Sequence, residues 1–90
     1  MNYEWDVKKA EAHRRRHGVA FDEAATIFLD PMAVSGADPD HSLTEDRYIT
    51  FGFSRLGRLL ADCQPYRPGA IRIISARRAT RSERKIYEEG

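Results

Sequence analysis

Polar and apolar positions follow a helical period in the first third of the chain and a strand period in the second half. Tyr3-Glu4-Trp5 reads as a short strand or lead-in. Asp6 is placed to cap a helix that runs to about His17, and Gly18 follows in the position favoured for a left-handed residue past a helix end. That helix is polar nearly all round, which predicts that it covers a sheet edge or meets a partner. Asp22 is expected to open a second, shorter helix over 23–29. Phe21, Ala24, Ala25 and Phe28 fall at i, i+3, i+4 and i+7 and form its apolar face. Asp30-Pro31 stops it, because the residue before a proline is pushed out of the helical region. A short strand over 32–34 and an acidic loop over 36–45 come next.

From Tyr48 the period becomes two. Residues 48–53 predict a strand with Ile49, Phe51 and Phe53 on one face. Residues 54–57 make a turn with glycine where a positive φ is expected, 58–64 return, and 65–69 turn again. Residues 71–76 predict the third strand, with Ile71, Ile73, Ser75 and Arg77 on one face and Arg72, Ile74 and Ala76 on the other. Thr80-Arg81-Ser82-Glu83 matches a capping box that starts a last helix. The order predicts an α+β fold: an antiparallel β-sheet meander with two N-terminal helices and one C-terminal helix, the helices on one side of the sheet.

Composition narrows the class. Ninety residues, 41% hydrophobic and 32% charged, suit one small domain over 1–90 and are too apolar for a disordered chain. A fold of this size hides a modest share of its surface, so a permanent partner would help it. No apolar run approaches the roughly 20 residues that span a bilayer. The start of the chain lacks the basic-then-apolar layout of a signal peptide. One cysteine, Cys63, excludes an internal disulfide and a Cys-rich metal cage, and its apolar neighbours make it a core residue. The expectation is a soluble cytoplasmic protein with no membrane contact.

Charge adds the first functional signal. The net charge of +1 conceals segregation: residues 19–46 hold seven acids and no Lys or Arg, whereas residues 47–85 hold ten basic and two acidic residues. Most of that basic charge is arginine, whose planar fork grips phosphate bidentately. Arg72, Arg77, Arg78, Arg81, Arg84 and Lys85 cluster, with Arg47 and Arg58 on neighbouring strands. A meander would draw them over one sheet face, where they could hold a phosphodiester and stabilise its pentavalent transition state. RNA carries its own nucleophile, the 2′-hydroxyl, so such a site needs no metal and no cofactor. It does need a route for protons. Tyr87, Tyr48, Glu83 or a histidine could supply one, and spacing does not choose among them. His13 and His17 share a helix face at metal-ligand spacing, but Lys9 and Arg14, Arg15 and Arg16 around them repel a cation, so helix-end packing is the better reading. His41 reads as a solvated loop residue, and Glu45 and Asp46 as solubilising acids.

Tyr3-Glu4-Trp5-Asp6 with Lys9, then His17-Gly18-Val19-Ala20-Phe21-Asp22-Glu23-Ala24 and Phe28-Leu29-Asp30-Pro31, resemble the BrnT toxin family. So do Arg47-Tyr48-Ile49-Thr50-Phe51-Gly52 with Gly57-Arg58-Leu59-Leu60, and Ile71 through Thr80 followed by Glu83-Arg84 and Tyr87-Glu88. The resemblance spans nearly the whole chain. It implies a RelE-like fold and the toxin component of a type II toxin–antitoxin system. Such a toxin is an endoribonuclease that inhibits translation and is neutralised by a BrnA-like antitoxin. It also implies two copies of each protein in the complex, and contact with operator DNA through the antitoxin. Carried onto this sequence, the family's arginines make Arg58 and Arg77 the transition-state or phosphate ligands. Arg47, Arg78 and Lys9 become RNA-backbone contacts, and Trp5 a base-stacking or core-covering residue. Arg72 would pair with Asp62. The chain departs from the family in the strand after Leu59-Leu60, which usually runs as valines ending in a histidine and here reads Ala61-Asp62-Cys63-Gln64. Asp62, on the same face as Arg58 by alternation, could neutralise it. The alternative is therefore an attenuated, non-catalytic homologue that serves as antitoxin-binding scaffold or co-repressor. A standalone nucleic-acid binder is a third, weaker reading.

Overall fold

The computed structural model describes residues 2–37, 47–65 and 69–90. The readings of His41, Glu45 and Asp46, most of the acidic loop and the middle of the 65–69 turn lie outside them. The elements in chain order are β1 (Asn2–Glu4), α1 (Val7–His17), α2 (Phe21–Ala25) running on as a 3-10 turn (Thr26–Leu29), β2 (Val34–Ala37), β3 (Arg47–Phe53), β4 (Leu59–Pro65), β5 (Ala70–Arg72), β6 (Ser75–Arg78) and α3 (Arg81–Glu89).

The helix ends follow their local chemistry. The Asp6 carboxylate accepts from the backbone N–H groups of Lys8 and Lys9 at 2.9 and 3.1 Å, and Gly18 closes α1 at φ 72°. Thr80 and Glu83 complete the capping box of α3. The second helix differs from its prediction. It begins at Phe21 with Ala20 in the cap position and no side-chain cap, and Asp22 lies exposed inside it. Its tightening into a 3-10 turn rotates Ile27 fully into the core, while Phe28 is only half-buried.

A four-stranded antiparallel sheet runs in the order β2-β3-β4-β6. The predicted third strand is broken in two. β5 leaves the meander to pair in parallel with β1, and only β6 pairs with β4. The switch falls at Ile73 and Ile74, whose N–H groups donate to Glu4 O and Cys63 O, each at 3.0 Å. Each residue thus bonds to a different sheet, and Ile73 drops into the core.

Pleat alternation and register divide the sheet into two faces. One carries Thr50, Gly52, Leu60, Asp62 and Ala76 and packs against Val19, Phe21, Ala24 and Ile27 on the α1–α2 side. The other carries Phe51, Phe53, Leu59, Ala61 and Arg77. It meets α3, where Tyr87 packs edge-on against Phe53 at 5.3 Å and the Arg84 guanidinium lies 5.7 Å from the Phe53 ring centre. Helices therefore cover both faces, not one. Among the described residues no helix is long and apolar enough to cross a membrane.

Gly52 marks the tightest approach between sheet and helices. A Cβ there would stand 3.1 Å from both the Ile27 Cβ and the Ile27 carbonyl oxygen, and 3.3 Å from the Ala33 Cβ. Gly52→Ala is expected to cost about 1–3 kcal/mol through overpacking against backbone that cannot yield cheaply. Thermal denaturation followed by circular dichroism checks this, and an unchanged melting temperature refutes it.

Candidate nucleic-acid interface

The basic residues of α1 are held outward by a helix whose inner face is short. Glu11 occupies two of them: it accepts from Arg14 Nη2 at 2.6 Å and Arg14 Nε at 3.2 Å, and from Arg15 Nε at 3.3 Å. Lys8, Lys9 and Arg16 are exposed and have no carboxylate partner among the described residues. α1 packs against β6. On the face of β6 that looks toward α1 stands Arg78, exposed and likewise without a carboxylate partner among the described residues. Three residues further on, α3 begins with the exposed Arg81 and carries Arg84 and Lys85, also exposed, with Arg84 turned over the Phe53 ring. The result is a basic band that crosses the sheet edge from α1 over β6 to α3. Trp5 lies at its α1 end, half-buried and edge-on to Phe21 at 6.3 Å, and lines a shallow groove of about 320 Å³ with Ala10 and Arg14.

Arg58 and Arg77, expected to converge on one phosphate, do not. Arg58 closes the β3–β4 hairpin on the α2 side of the sheet. Its Nε donates to Glu23 Oε2 at 2.9 Å, its Nη2 reaches Glu23 Oε1, and the same Nη2 donates to Gly18 O at 3.1 Å. Glu23 is buried and also accepts from Ser54 Oγ at 2.7 Å. Arg58 holds the Glu23 carboxyl below its ordinary range, with help from Ser54 and against the opposing push of burial. Arg77 faces the other way. It meets Glu83 of α3 bidentately, Nη1 to Oε1 at 2.7 Å and Nη2 to Oε2 at 2.9 Å, and donates to Arg78 O at 3.2 Å. The reason is the pleat: Arg58 follows Leu60 and Asp62 by alternation, whereas Arg77 pairs across with Ala61. The six residues singled out from sequence thus divide. Arg58, Arg78, Lys9 and Trp5 lie on the α1–α2 side. Arg77 and Arg47 share the opposite face, with Arg47 at the far end of β3.

The proton-transfer candidates also sort themselves. Glu83 is held by Arg77 and by the Thr80 N–H at 2.8 Å, and Arg77 keeps its carboxyl below the usual range. Tyr87 donates to Asp30 Oδ2 at 2.7 Å, and that bond raises its pKa. His13 was a packing residue in the sequence reading. Its ring does pack, 5.4 Å from both Phe21 and His17 and stacked on the latter at 28°. Burial, then the charges of His17, Arg16 and Lys9, push the His13 imidazole below its ordinary value. Among the described residues no three His, Cys, Asp or Glu side chains gather in metal-ligating geometry.

The two positions that depart from the family strand point inward. Asp62 is fully buried and Gln64 nearly so. Asp62 pairs with neither Arg58 nor Arg72: Glu23 takes Arg58, and Arg72 lies 4.0 Å from Glu4. Neither Asp62 oxygen has a hydrogen-bond partner among the described residues. The departure therefore bears on the core rather than on the basic band.

Comparison with known proteins finds both a family and a solved fold. Residues 5–83 match the model of a family described as the ribonuclease toxin, BrnT, of type II toxin–antitoxin systems. Among solved structures, the chain is similar to the crystal structure of the Brucella abortus ribonuclease toxin BrnT, with TM-score 0.69 and 20% identity over 90% of this chain and 99% of that chain. At that identity the likeness is one of fold. No curated protein matches the chain.

Proposed function

This chain belongs to the BrnT family of ribonuclease toxins of type II toxin–antitoxin systems, and from that premise we propose that it cuts RNA internally, without a metal, along the basic band of α1, β6 and α3. The observation that carries the reading is that Lys9, Arg16 and Arg78 lie exposed with no carboxylate partner among the described residues, on two elements packed together. A polyanion neutralises such a band, and arginine suits phosphate. In the reaction the 2′-oxygen attacks phosphorus and the bond to the 5′-oxygen breaks. The charge that builds on the phosphoryl oxygens is met by guanidinium and ammonium groups already in place. Arg78 and Lys9 grip the backbone. Arg58 and Arg77, each fixed by a carboxylate, act through position: Arg58 ties the hairpin to α2, and Arg77 sets the β6–α3 corner that presents Arg78 and Arg81. Arg47 extends the backbone path on the far face. Trp5 offers an edge for a base, a stack worth about 1–3 kcal/mol.

A toxin of a type II system has an antitoxin partner. We infer that this one is a small BrnA-like protein, that two copies of each assemble, that operator DNA is reached through the antitoxin, and that RNA cleavage in the cytoplasm halts translation. A short neighbouring reading frame encoding a DNA-binding protein supports this; its absence counts against it.

The test is incubation of purified protein with RNA in EDTA. Cleavage supports the reading, and intact RNA with tight antitoxin binding makes the protein a scaffold instead. The double variant Lys9→Ala/Arg78→Ala is expected to bind single-stranded RNA more weakly at low salt. The slope of log affinity against log salt should flatten by about 0.7 per phosphate contact removed. An unchanged slope removes both residues from the interface.

A further inference from the structure

We propose that His13 and His17 are the proton-transfer pair of this ribonuclease, His13 taking the proton from the attacking 2′-hydroxyl and His17 returning one to the departing 5′-oxygen. This rests on the ribonuclease reading above and names the groups that perform its chemistry. Metal-free RNA cleavage needs a base and an acid on either side of one phosphate. The described residues leave few groups for the task. Glu11, Glu23 and Glu83 are each bound by arginines, Tyr87 is spent on Asp30, and Asp62 is sealed from solvent. Tyr48 stands on β3, separated from β6 by β4.

The two imidazoles remain, and their placement fits. Lys9, His13 and His17 are four residues apart, so they line one face of α1. The rings stack one helical turn apart, with centres 5.4 Å from each other. His13 shares a small surface pocket with Ala12 and Arg16, and α1 rests on β6, which carries Arg78 on that side. Lys9 and Arg16 share α1 with both rings, and Arg78 faces α1 from β6, so the proposal seats the scissile phosphate among them.

The charges around His13 match a base. Lys9, Arg16 and His17 from α1 and Arg78 from β6 are cationic or able to become so. The acids of α2 are turned elsewhere: Glu23 to Arg58, and Asp22 toward Arg55 at 3.8 Å. Nδ1 of His13 is buried without a hydrogen-bond partner, so no protein group steadies a second proton on the ring. Burial and the neighbouring cations hold the imidazole below its ordinary value, which suits a base, and its cationic product is offset by the charge that builds on the phosphorane. His17 lies in the last turn of α1, one turn beyond His13. The proton balance closes. One proton leaves the 2′-hydroxyl for His13, one passes from His17 to the 5′-oxygen, and the products are a 2′,3′-cyclic phosphate and a free 5′-hydroxyl.

The experiment measures cleavage of an end-labelled oligoribonucleotide in EDTA by the wild type, His13→Phe, His13→Ala and His17→Asn, from pH 5 to 9. His13→Phe keeps an aromatic ring against Phe21 and so preserves packing, which circular dichroism verifies. Expected are a bell-shaped wild-type profile, a rate loss of about 10²–10⁴-fold in His13→Phe and His17→Asn, partial rescue of His13→Ala by added imidazole, and a cyclic phosphate on the product. A merely structural histidine would give neither the rescue nor the loss of one limb of the bell. Wild-type cleavage with folded variants at full rate overturns the pair alone. A wild type that leaves RNA intact overturns the ribonuclease reading and the pair with it.

Discussion

Glu23→Ala is expected to remove about 3–5 kcal/mol of folding stability. A domain of this size holds only about 5–15 kcal/mol in total, so the variant should be partly unfolded at growth temperature. The cause is the company Glu23 keeps. Its carboxylate is buried, and it accepts from Arg58 Nε, Arg58 Nη2 and Ser54 Oγ. Removing it strands the half-buried Arg58 side chain and a buried hydroxyl, and frees the β3–β4 turn from α2. Urea denaturation of Glu23→Ala, Arg58→Met and the pair Glu23→Leu/Arg58→Met separates the contributions. The double variant should recover much of the loss, because no buried charge then lacks a partner. Equal losses in the alanine and double variants would show that packing, not charge, dominates. The pH dependence has a fixed sign. Glu23 has its folded pKa held below the ordinary 4.5, so its stabilisation is complete above that value and disappears as pH falls through the folded value. Glu23→Gln should lack this acid limb.

This ion pair also illustrates where sequence reasoning reached and where it stopped. Asp6, Gly18 and the Thr80–Glu83 box set helix ends through contacts within four residues, and each appears where local chemistry placed it. The strand period located β3 and β4 to within a residue at each end. The family resemblance, which rests on many short blocks in order, agrees with the match over residues 5–83. What failed was non-local. The run 71–76 alternates well enough for one strand, and nothing within it announces a parallel partner at β1. The single-face picture failed for a related reason: α3 crosses to the far side of the sheet, which depends on Tyr87 meeting Phe53 and Asp30 rather than on any property of the helix alone. Arg58 and Arg77 were legible as important arginines. Their carboxylates were not, because Glu23 lies 35 positions from Arg58 and had been assigned only to a helix start. For His13 the sequence predicts helix-end packing, because the surrounding Lys9 and Arg14, Arg15 and Arg16 repel a cation, and the ring does pack on Phe21 and His17.

The register further decides what the chain's departure from its family means. Asp62, which the family resemblance marks as a departure, lies fully buried opposite Thr50 and Ala76. Thr50 turns to other partners: its hydroxyl lies 2.7 Å from Ser35 Oγ and accepts from Gln64 Nε2 at 2.6 Å. Burial drives the Asp62 carboxyl well above its ordinary range, and the negative charge of Glu23 adds to the shift. Burial therefore favours the protonated form of Asp62 in the fold, whereas the ordinary carboxyl value is 3.8. The consequence for stability runs opposite to that of Glu23. Whatever Asp62 permits is intact below the unfolded value and is lost as pH rises toward the folded one. Asp62→Val should accordingly stabilise the protein by about 1–3 kcal/mol, the cost of an unsatisfied buried polar group, and by more at pH 8, where ionisation of the unfolded chain adds to the gain. The advantage should shrink at pH 4, where the unfolded chain also begins to hold the proton. Asp62→Asn isolates the titration, since it keeps a buried polar group but removes the ionisation, and its gain should be confined to the higher pH. Urea denaturation at both pH values checks the pattern. A gain equal at pH 4 and pH 8 would mean that Asp62 is ionised in the fold and that some group in the core answers its charge. Because the side chain lies inward of the basic band, Asp62→Val is also expected to leave the rate of RNA cleavage unchanged. A protein that becomes more stable while cutting RNA as before would locate the family departure in the core and remove it as a reason to expect a weakened toxin.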